Sequence, residues 1–145
     1  MRLFLMVATA AGFAFATALM MADEASAVQD TPTTINGVEA VCTGVGSAKD
    51  DPRWSAYPVK IVLSTPGGAN LANAHVTLMK GNQEVAGLDC DAPWILFKPP
   101  AGSYTATASL IGGTRSAHTS FSTSGAGAQK EITLVFPRGN EAPTQ

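Results

Sequence analysis

The sequence predicts an all-β protein, an antiparallel β-sandwich of about seven or eight strands. Beyond residue 28, runs in which apolar and polar residues alternate recur along the chain, and no apolar residues repeat at helical spacing over three turns. Turn-forming Gly, Pro and Asn residues separate these runs at intervals of about 8–12 residues, which is typical of sandwiches. Only 14% of the residues are charged and the formal net charge is −2, so the composition argues against a nucleic-acid partner.

Residues 1–27 have the order of a secretory signal peptide. Arg2 precedes an apolar run over residues 3–21, and residues 25–27, Ala-Ser-Ala, supply a cleavage site. An uncleaved membrane anchor is the alternative, because the apolar run is long enough to cross a bilayer. Since the small residues follow the run at the distance that cleavage requires, we expect cleavage after Ala27. The mature protein would then be periplasmic or secreted, with no stable membrane anchor.

Alternation assigns the strands in chain order. The residues expected on their buried faces are Val38, Ala40 and Cys42; Val59, Ile61 and Leu63; Ala74, Val76 and Leu78; Tyr104, Ala106, Ala108 and Leu110; Ala117, Thr119 and Phe121; and Ile132, Leu134 and Phe136. Residues 84–90 form a further short strand, and Gly112-Gly113 marks a tight hairpin. Residues 28–36 and 138–145 are polar and contain Pro, so we expect flexible segments on either side of a domain from 37 to 137.

Residues 94–97, Trp-Ile-Leu-Phe, are apolar at consecutive positions, which predicts a central strand covered on both faces. Pro99 and Pro100 lack N–H donors, so the strand must end before them. Gly102 then turns the chain, and Tyr104 opens the next strand. We expect its ring to lie in the core and its hydroxyl near the rim.

Three segments carry a family resemblance: LANAHVTLM at 71–79, ILFKPPAGSYTATASLIGGTRSAHTSFS at 95–122, and KEITLVF at 130–136. They resemble the bacterial carboxypeptidase regulatory-like domains, whose pattern is L-x-x-A-x-V-x-L followed by F-x-x-L-P-P-G-x-Y-x-V-x-A. Here Ala101 is inserted before the glycine. The resemblance implies a transthyretin-like (prealbumin-like) β-sandwich and says little about function.

The chain has two cysteines, Cys42 and Cys90. In an oxidising compartment an even pair indicates a disulfide. Two buried free thiols, or a metal site with further ligands, are the alternatives. The segments VCTGVGSAKDDPRWSAYPVKIVL at 41–63 and CDAPW at 90–94 also resemble small exported proteobacterial proteins that consist of this domain alone. That resemblance implies that a Cys42–Cys90 disulfide joins the first strand to the central strand.

Few residues suggest chemistry. His75 and His118 lie on the polar faces of their strands, so we expect solvated surface histidines. Asp50-Asp51 and Asp89-Cys90-Asp91 lack the spacing of a calcium loop. No phosphate-binding loop, nucleophile elbow or Cys-x-x-Cys motif is present. We therefore expect no catalytic site, no metal and no cofactor.

The segment KDDPRWSAY, residues 49–57, is the strongest candidate for a binding surface. Trp and Arg are enriched at binding hot spots, and a flat ring suits stacking on a sugar, which singles out Arg53 and Trp54. The alternative is that Trp54 folds back and closes an open end of the sandwich. The sequence favours a non-catalytic exported module that binds a protein partner or itself; a carbohydrate-binding module is the second hypothesis.

Overall fold

The computed structural model describes residues 27–138. The signal-peptide prediction before Ala27 and the predicted tail after residue 138 lie outside these residues. The described chain forms nine strands, with two short 3₁₀ helices at Gly46–Asp50 and Pro52–Ala56. The strands are β1 Thr33–Ile35, β2 Val38–Thr43, β3 Val59–Ser64, β4 Ala74–Lys80, β5 Gln83–Cys90, β6 Trp94–Lys98, β7 Gly102–Leu110, β8 Ser116–Thr123 and β9 Lys130–Val135.

The strands form two sheets that pack face to face. The five-stranded sheet has the order β1-β2-β6-β3-β9, and the four-stranded sheet has the order β5-β4-β7-β8. The predicted β-sandwich is confirmed. All pairings are antiparallel except that of β3 with β9, which run parallel. The chain crosses from β8 in one sheet to β9 in the other, where β9 lies beside β3. The alternation of residues within a strand does not predict such a crossing or the direction of the resulting strand pair.

The core between the sheets combines small and large side chains. The four-stranded sheet contributes mainly alanines and aliphatic residues, whereas the five-stranded sheet contributes most of the larger ones, among them Ile61, Leu63, Ile95, Phe97 and Phe136. In every strand for which a buried face was predicted, the predicted residues point inward, although Thr119 and Leu110 are only half-buried. Small residues facing large ones let the two layers approach and fill the space between them.

The central strand is where the sequence predicted it. β6 lies between β2 and β3, and Ile95, Leu96 and Phe97 are fully buried. Ile95 and Phe97 point between the sheets. Leu96 points to the opposite face, where residues 44–58 fold over it.

Tyr104 is buried, with 3% of the residue exposed, and its hydroxyl donates to the carbonyl of Pro100 at 2.7 Å. Its ring stacks on that of Phe121, with centroids 6.0 Å apart. The prediction of a core ring with a hydroxyl near the turn is therefore confirmed. Burial raises the pKa of this phenol.

The prediction that residues 28–36 are a flexible segment is wrong for its second half. Thr33–Ile35 form β1, which pairs with β2 through a turn in which Asn36 and Gly37 both have positive φ. Upstream, the Asp30 N–H donates to the Cys42 carbonyl, and its carboxylate accepts from the Thr43 hydroxyl. Backbone pairing outweighs the polar composition because an edge strand needs no buried side chains.

The disulfide is present between Cys42 and Cys90, with Cα atoms 5.7 Å apart. Cys42 lies in β2 and Cys90 ends β5, so the bond joins the two sheets rather than the first strand to the central strand. A disulfide is typical of a non-cytoplasmic environment. Within residues 27–138, no helix has the length and apolarity needed to cross a membrane.

Candidate interaction surface

The loop that carries Arg53 and Trp54 covers the outer face of the five-stranded sheet. Trp54 is only 4% exposed and packs with Val41, Tyr57 and Leu96 in a second small core. Its indole N–H donates to the carbonyl of Ala48 at 2.7 Å. The hypothesis that Trp54 is an exposed binding platform is therefore wrong. The ring packs on a sheet face because Val41 and Leu96 leave an apolar area there that water would otherwise reach.

Arg53 remains at the surface but its guanidinium is held by the loop itself. It donates to Asp51 at 2.8 Å and lies 4.7 Å from the centre of the Trp54 ring. The hydrogen bonds from Arg53 lower the pKa of the Asp51 carboxyl. The Arg53 guanidinium is thus bonded within the loop and Trp54 is buried, so the two side chains do not form an open platform.

A shallow cleft of about 220 Å³ lies between this loop and the sheet. Trp94 lines it, half-buried, but the Lys60 ammonium sits 3.4 Å from the centre of its ring. Lys60 also contacts the Glu131 carboxylate at 3.6 Å. The indole is thus already engaged by a cation from this chain, and it does not present the open face on which a sugar ring would stack.

His75 and Asp89 form the closest approach to a chemical group. Their side chains meet at 2.6 Å on the outer face of the four-stranded sheet, and Ser109 lies opposite His75 in the register. A serine hydrolase requires the serine hydroxyl to bond the imidazole. Among the described residues, Ser109 makes no hydrogen bond to His75, and the His75–Asp89 contact orients an imidazole at the surface.

Three of the four aspartates considered as calcium ligands have other partners. Asp51 binds Arg53, Asp89 binds His75, and Asp91 accepts from Gln29 at 3.0 Å. Within residues 27–138 no three acidic, histidine or cysteine side chains converge as a metal site would require.

The sheet edges differ sharply in how they are protected. β1 has three residues, and β9 begins with Lys130-Glu131. β5 carries Glu84 and Asp89, and its register with β4 shifts between Leu78 and Met79. Short length, charge and irregular pairing are usual means of blocking an edge strand.

Before Ser122, β8 has none of these protections. Its sequence SAHTSFST contains no Asp, Glu, Lys, Arg or Pro, and it pairs with β7 without interruption over all eight residues. A long, regular and uncharged edge strand is the form most able to accept a further strand.

The groups that β8 offers can be identified from the ladder. The Leu110 N–H donates to the Arg115 carbonyl at 3.0 Å, which marks a hydrogen-bonded pair. Because such pairs alternate along an antiparallel ladder, residues 117, 119, 121 and 123 bond to β7. The N–H and C=O groups of Ser116, His118, Ser120 and Ser122 therefore point away from the sheet. The Ser122 carbonyl accepts from the Lys130 ammonium at 3.1 Å.

The outer face beside this edge is rich in hydroxyl groups and forms an open, shallow concavity of about 370 Å³. Ser103 and Ser122 share a hydrogen bond of 3.0 Å, and Thr105 and Ser120 one of 3.2 Å. These side chains are short and bonded to one another across β7 and β8, so they do not project over the free edge.

Comparison with models of known protein families and with curated proteins gave no match. The resemblance to carboxypeptidase regulatory-like domains therefore stays a prediction. The free edge of β8 is a stronger candidate for a binding surface than the loop with Trp54. The sequence held only part of the signal: residues 116–123 contain no charged residue and no proline, but the longer strand at 102–110 shares this composition, so the sequence does not tell which of the two is an edge.

Proposed function

We propose that this protein is a non-catalytic exported β-sandwich module that binds another protein chain by strand addition at the edge of β8. The proposal depends on one observation above all. Ser116, His118 and Ser120 direct N–H and C=O groups outward from a regular edge strand, and within the described residues none of these groups has a backbone partner. Such groups are the attachment points for an extended peptide.

The chemistry of the edge specifies its partner. Main-chain hydrogen bonds supply the affinity, and the uncharged β8 side chains favour an extended segment that is uncharged at its centre. A partner segment with alternating Ser or Thr on one side would continue the hydroxyl face of the sheet. A glycan partner has less support, because Trp54 is buried and the ring of Trp94 is engaged by Lys60.

The test uses a fluorescent synthetic peptide with the sequence of residues 115–123, mixed with the disulfide-bonded protein. We expect binding, measured by fluorescence anisotropy, that Ser120→Pro abolishes and Ser120→Ala retains. The Ser120 N–H points away from β7, so the proline removes a donor from the free edge and no bond from the existing ladder. The same peptide with N-methyl groups on alternate residues should not bind.

An absence of binding, or equal binding to the wild type and the Ser120→Pro variant, would refute strand addition. Thermal unfolding of both serine variants shows whether each is folded. If the proline variant is unstable, His118→Lys replaces it. A lysine at the centre of the edge disfavours the addition of an uncharged strand, and it leaves the hydrogen bonds between β7 and β8 unchanged.

Export is the second part of the proposal. The disulfide supports it, and so does the signal-peptide order of residues 1–27. Intact mass of the protein recovered from the periplasm or medium should correspond to a chain starting at Val28. A mass that retains the apolar segment would contradict cleavage.

A further inference from the structure

Two copies of β8 can pair the outward groups of Ser116, His118 and Ser120 with one another in one register. The outward groups belong to Ser116, His118, Ser120 and Ser122, and the carbonyl of Ser122 is already taken by Lys130. The free set therefore runs over three alternate residues with His118 at its centre. A set with this symmetry matches itself when the second strand runs antiparallel.

We propose that the protein forms a two-fold symmetric dimer in which β8 pairs with β8 of a second copy, centred on His118. This inference rests on the proposed strand addition and names its partner. His118 faces His118 of the second copy, and Ser116 faces Ser120 in both directions. Each hydrogen-bonded antiparallel pair exchanges two backbone bonds, so the three pairs use all the free N–H and C=O groups of these residues.

The charge pattern permits this pairing. In a two-fold pair, a charged residue near the centre meets the same charge on the second copy, and like charges directly opposite are destabilising. β8 carries no Lys, Arg, Asp or Glu. Arg115 precedes the three residues with free backbone groups, and Lys130 bonds the carbonyl of Ser122 after them. The proposed pairing therefore ends before Ser122. The edges of β5 and β9 both carry charges, which makes β8 the self-complementary edge.

The dimer joins two four-stranded sheets into one continuous sheet. The hydroxyl face around Thr105 and Ser120 then extends across both copies on one side. On the other side, each copy keeps its own core, because the inward residues of β8 already bond to β7 and pack in the sandwich. No rearrangement of the fold is required, as expected for an isologous interface.

Cysteine substitution tests the register directly. Cα atoms of a hydrogen-bonded antiparallel pair lie about 5.5 Å apart, which is within the range that a disulfide spans. His118→Cys should form an intermolecular disulfide on mild oxidation. Ser116→Cys and Ser120→Cys should each form no intermolecular disulfide alone and should cross-link when the two variants are mixed. The native cysteines are both buried and paired, so they do not compete.

The oligomeric state of the unmodified protein is measured by sedimentation velocity over a range of concentrations. We expect a shift from monomer to dimer as the concentration rises. The shift should be lost in Ser120→Pro and in His118→Lys, which opposes two cations, and kept in the matched controls Ser120→Ala and His118→Gln.

A protein that stays monomeric throughout the concentration range refutes the dimer. If the peptide of residues 115–123 still binds, strand addition at β8 stands and only its partner was wrong. A dimer that survives both Ser120→Pro and His118→Lys, or equal cross-linking of all three single cysteine variants, also refutes this interface.

Discussion

Trp54 and Tyr104 are buried aromatic side chains that each hold a loop against a sheet. Trp54 anchors residues 44–58 through its ring contacts and the bond to Ala48, whereas Tyr104 fixes the turn at Pro100. The Trp54 ring packs on the outer face of the five-stranded sheet, whereas the Tyr104 ring lies in the core between the sheets. Each therefore contributes to stability on its own.

Truncation of Trp54 should destabilise the protein as a core substitution does. Trp54→Ala removes a ring that is almost fully buried, and such changes cost about 3–5 kcal/mol. The exposed neighbour Arg53 is the control, since Arg53→Ala should change stability by no more than about 0.5 kcal/mol. Urea denaturation followed by circular dichroism measures both. An unchanged midpoint for Trp54→Ala would show that the ring is not part of a core.

Both tyrosines of the chain should titrate late. Burial and the hydrogen bond to Glu39 raise the pKa of Tyr57, and burial raises that of Tyr104. The native phenols thus keep protons that the unfolded chain releases at about pH 10. Stability is complete below that pH and falls as the pH rises above it.

The ultraviolet absorbance of tyrosinate follows this titration. We expect little tyrosinate near pH 10 while the circular dichroism spectrum stays native, and then ionisation together with unfolding. Tyr57→Phe and Tyr104→Phe should each shift the loss of stability to higher pH. Free ionisation of a phenol in the folded protein near its ordinary pKa would contradict the burial of these side chains.

At the scale of elements, the loop between β2 and β3 forms an outer layer over the sheet. Its start depends on Gly44, which has φ +105°, and a Cβ there would lie 2.6 Å from Cγ of Trp94. Glycine is needed for the backbone conformation and for the close approach of the chain to the indole.

Gly44→Ala should therefore destabilise the protein by about 1–3 kcal/mol, as overpacking does. Gly46→Ala is the matched control, because Gly46 also has a positive φ but a Cβ there would meet nothing within 4 Å. Its cost should be limited to that of the backbone conformation. Thermal unfolding of the two variants compares them, and equal midpoints would mean that Trp94 does not constrain the loop.

At the scale of the whole molecule, the disulfide is the covalent link between the sheets. Cys42 and Cys90 are 48 residues apart, and closing a loop of that length stabilises the fold by about 4 kcal/mol through the unfolded chain. That is a large part of the total for a domain of this size.

The variant Cys42→Ala/Cys90→Ala should thus have a much lower denaturation midpoint than the wild type, with the sandwich still formed at low denaturant. The double change avoids leaving a single reactive thiol. Alkylation and intact mass should show two blocked thiols in the wild type after reduction and none before. If the double variant were as stable as the wild type, the disulfide would not stabilise the fold.

The sequence by itself determined the strands and their inward faces, because a strand buried on one side must alternate apolar and polar residues. It determined the central strand at 94–97, because an apolar run on both faces needs cover on both. The burial of Tyr104 followed from the same rule, together with the prolines that place it at the start of β7.

Only the tertiary structure decided the features that do not depend on the alternation of apolar and polar residues along a strand. The packing of Trp54 depends on Leu96 and Val41, which come from distant strands and leave no pattern near residue 54. The pairing of β1, the parallel partner of β9 and the sheets that the disulfide joins depend on how the chain crosses between layers. The free edge of β8 depends on strand order, because alternation tells which way a side chain points but not whether a backbone has a neighbour.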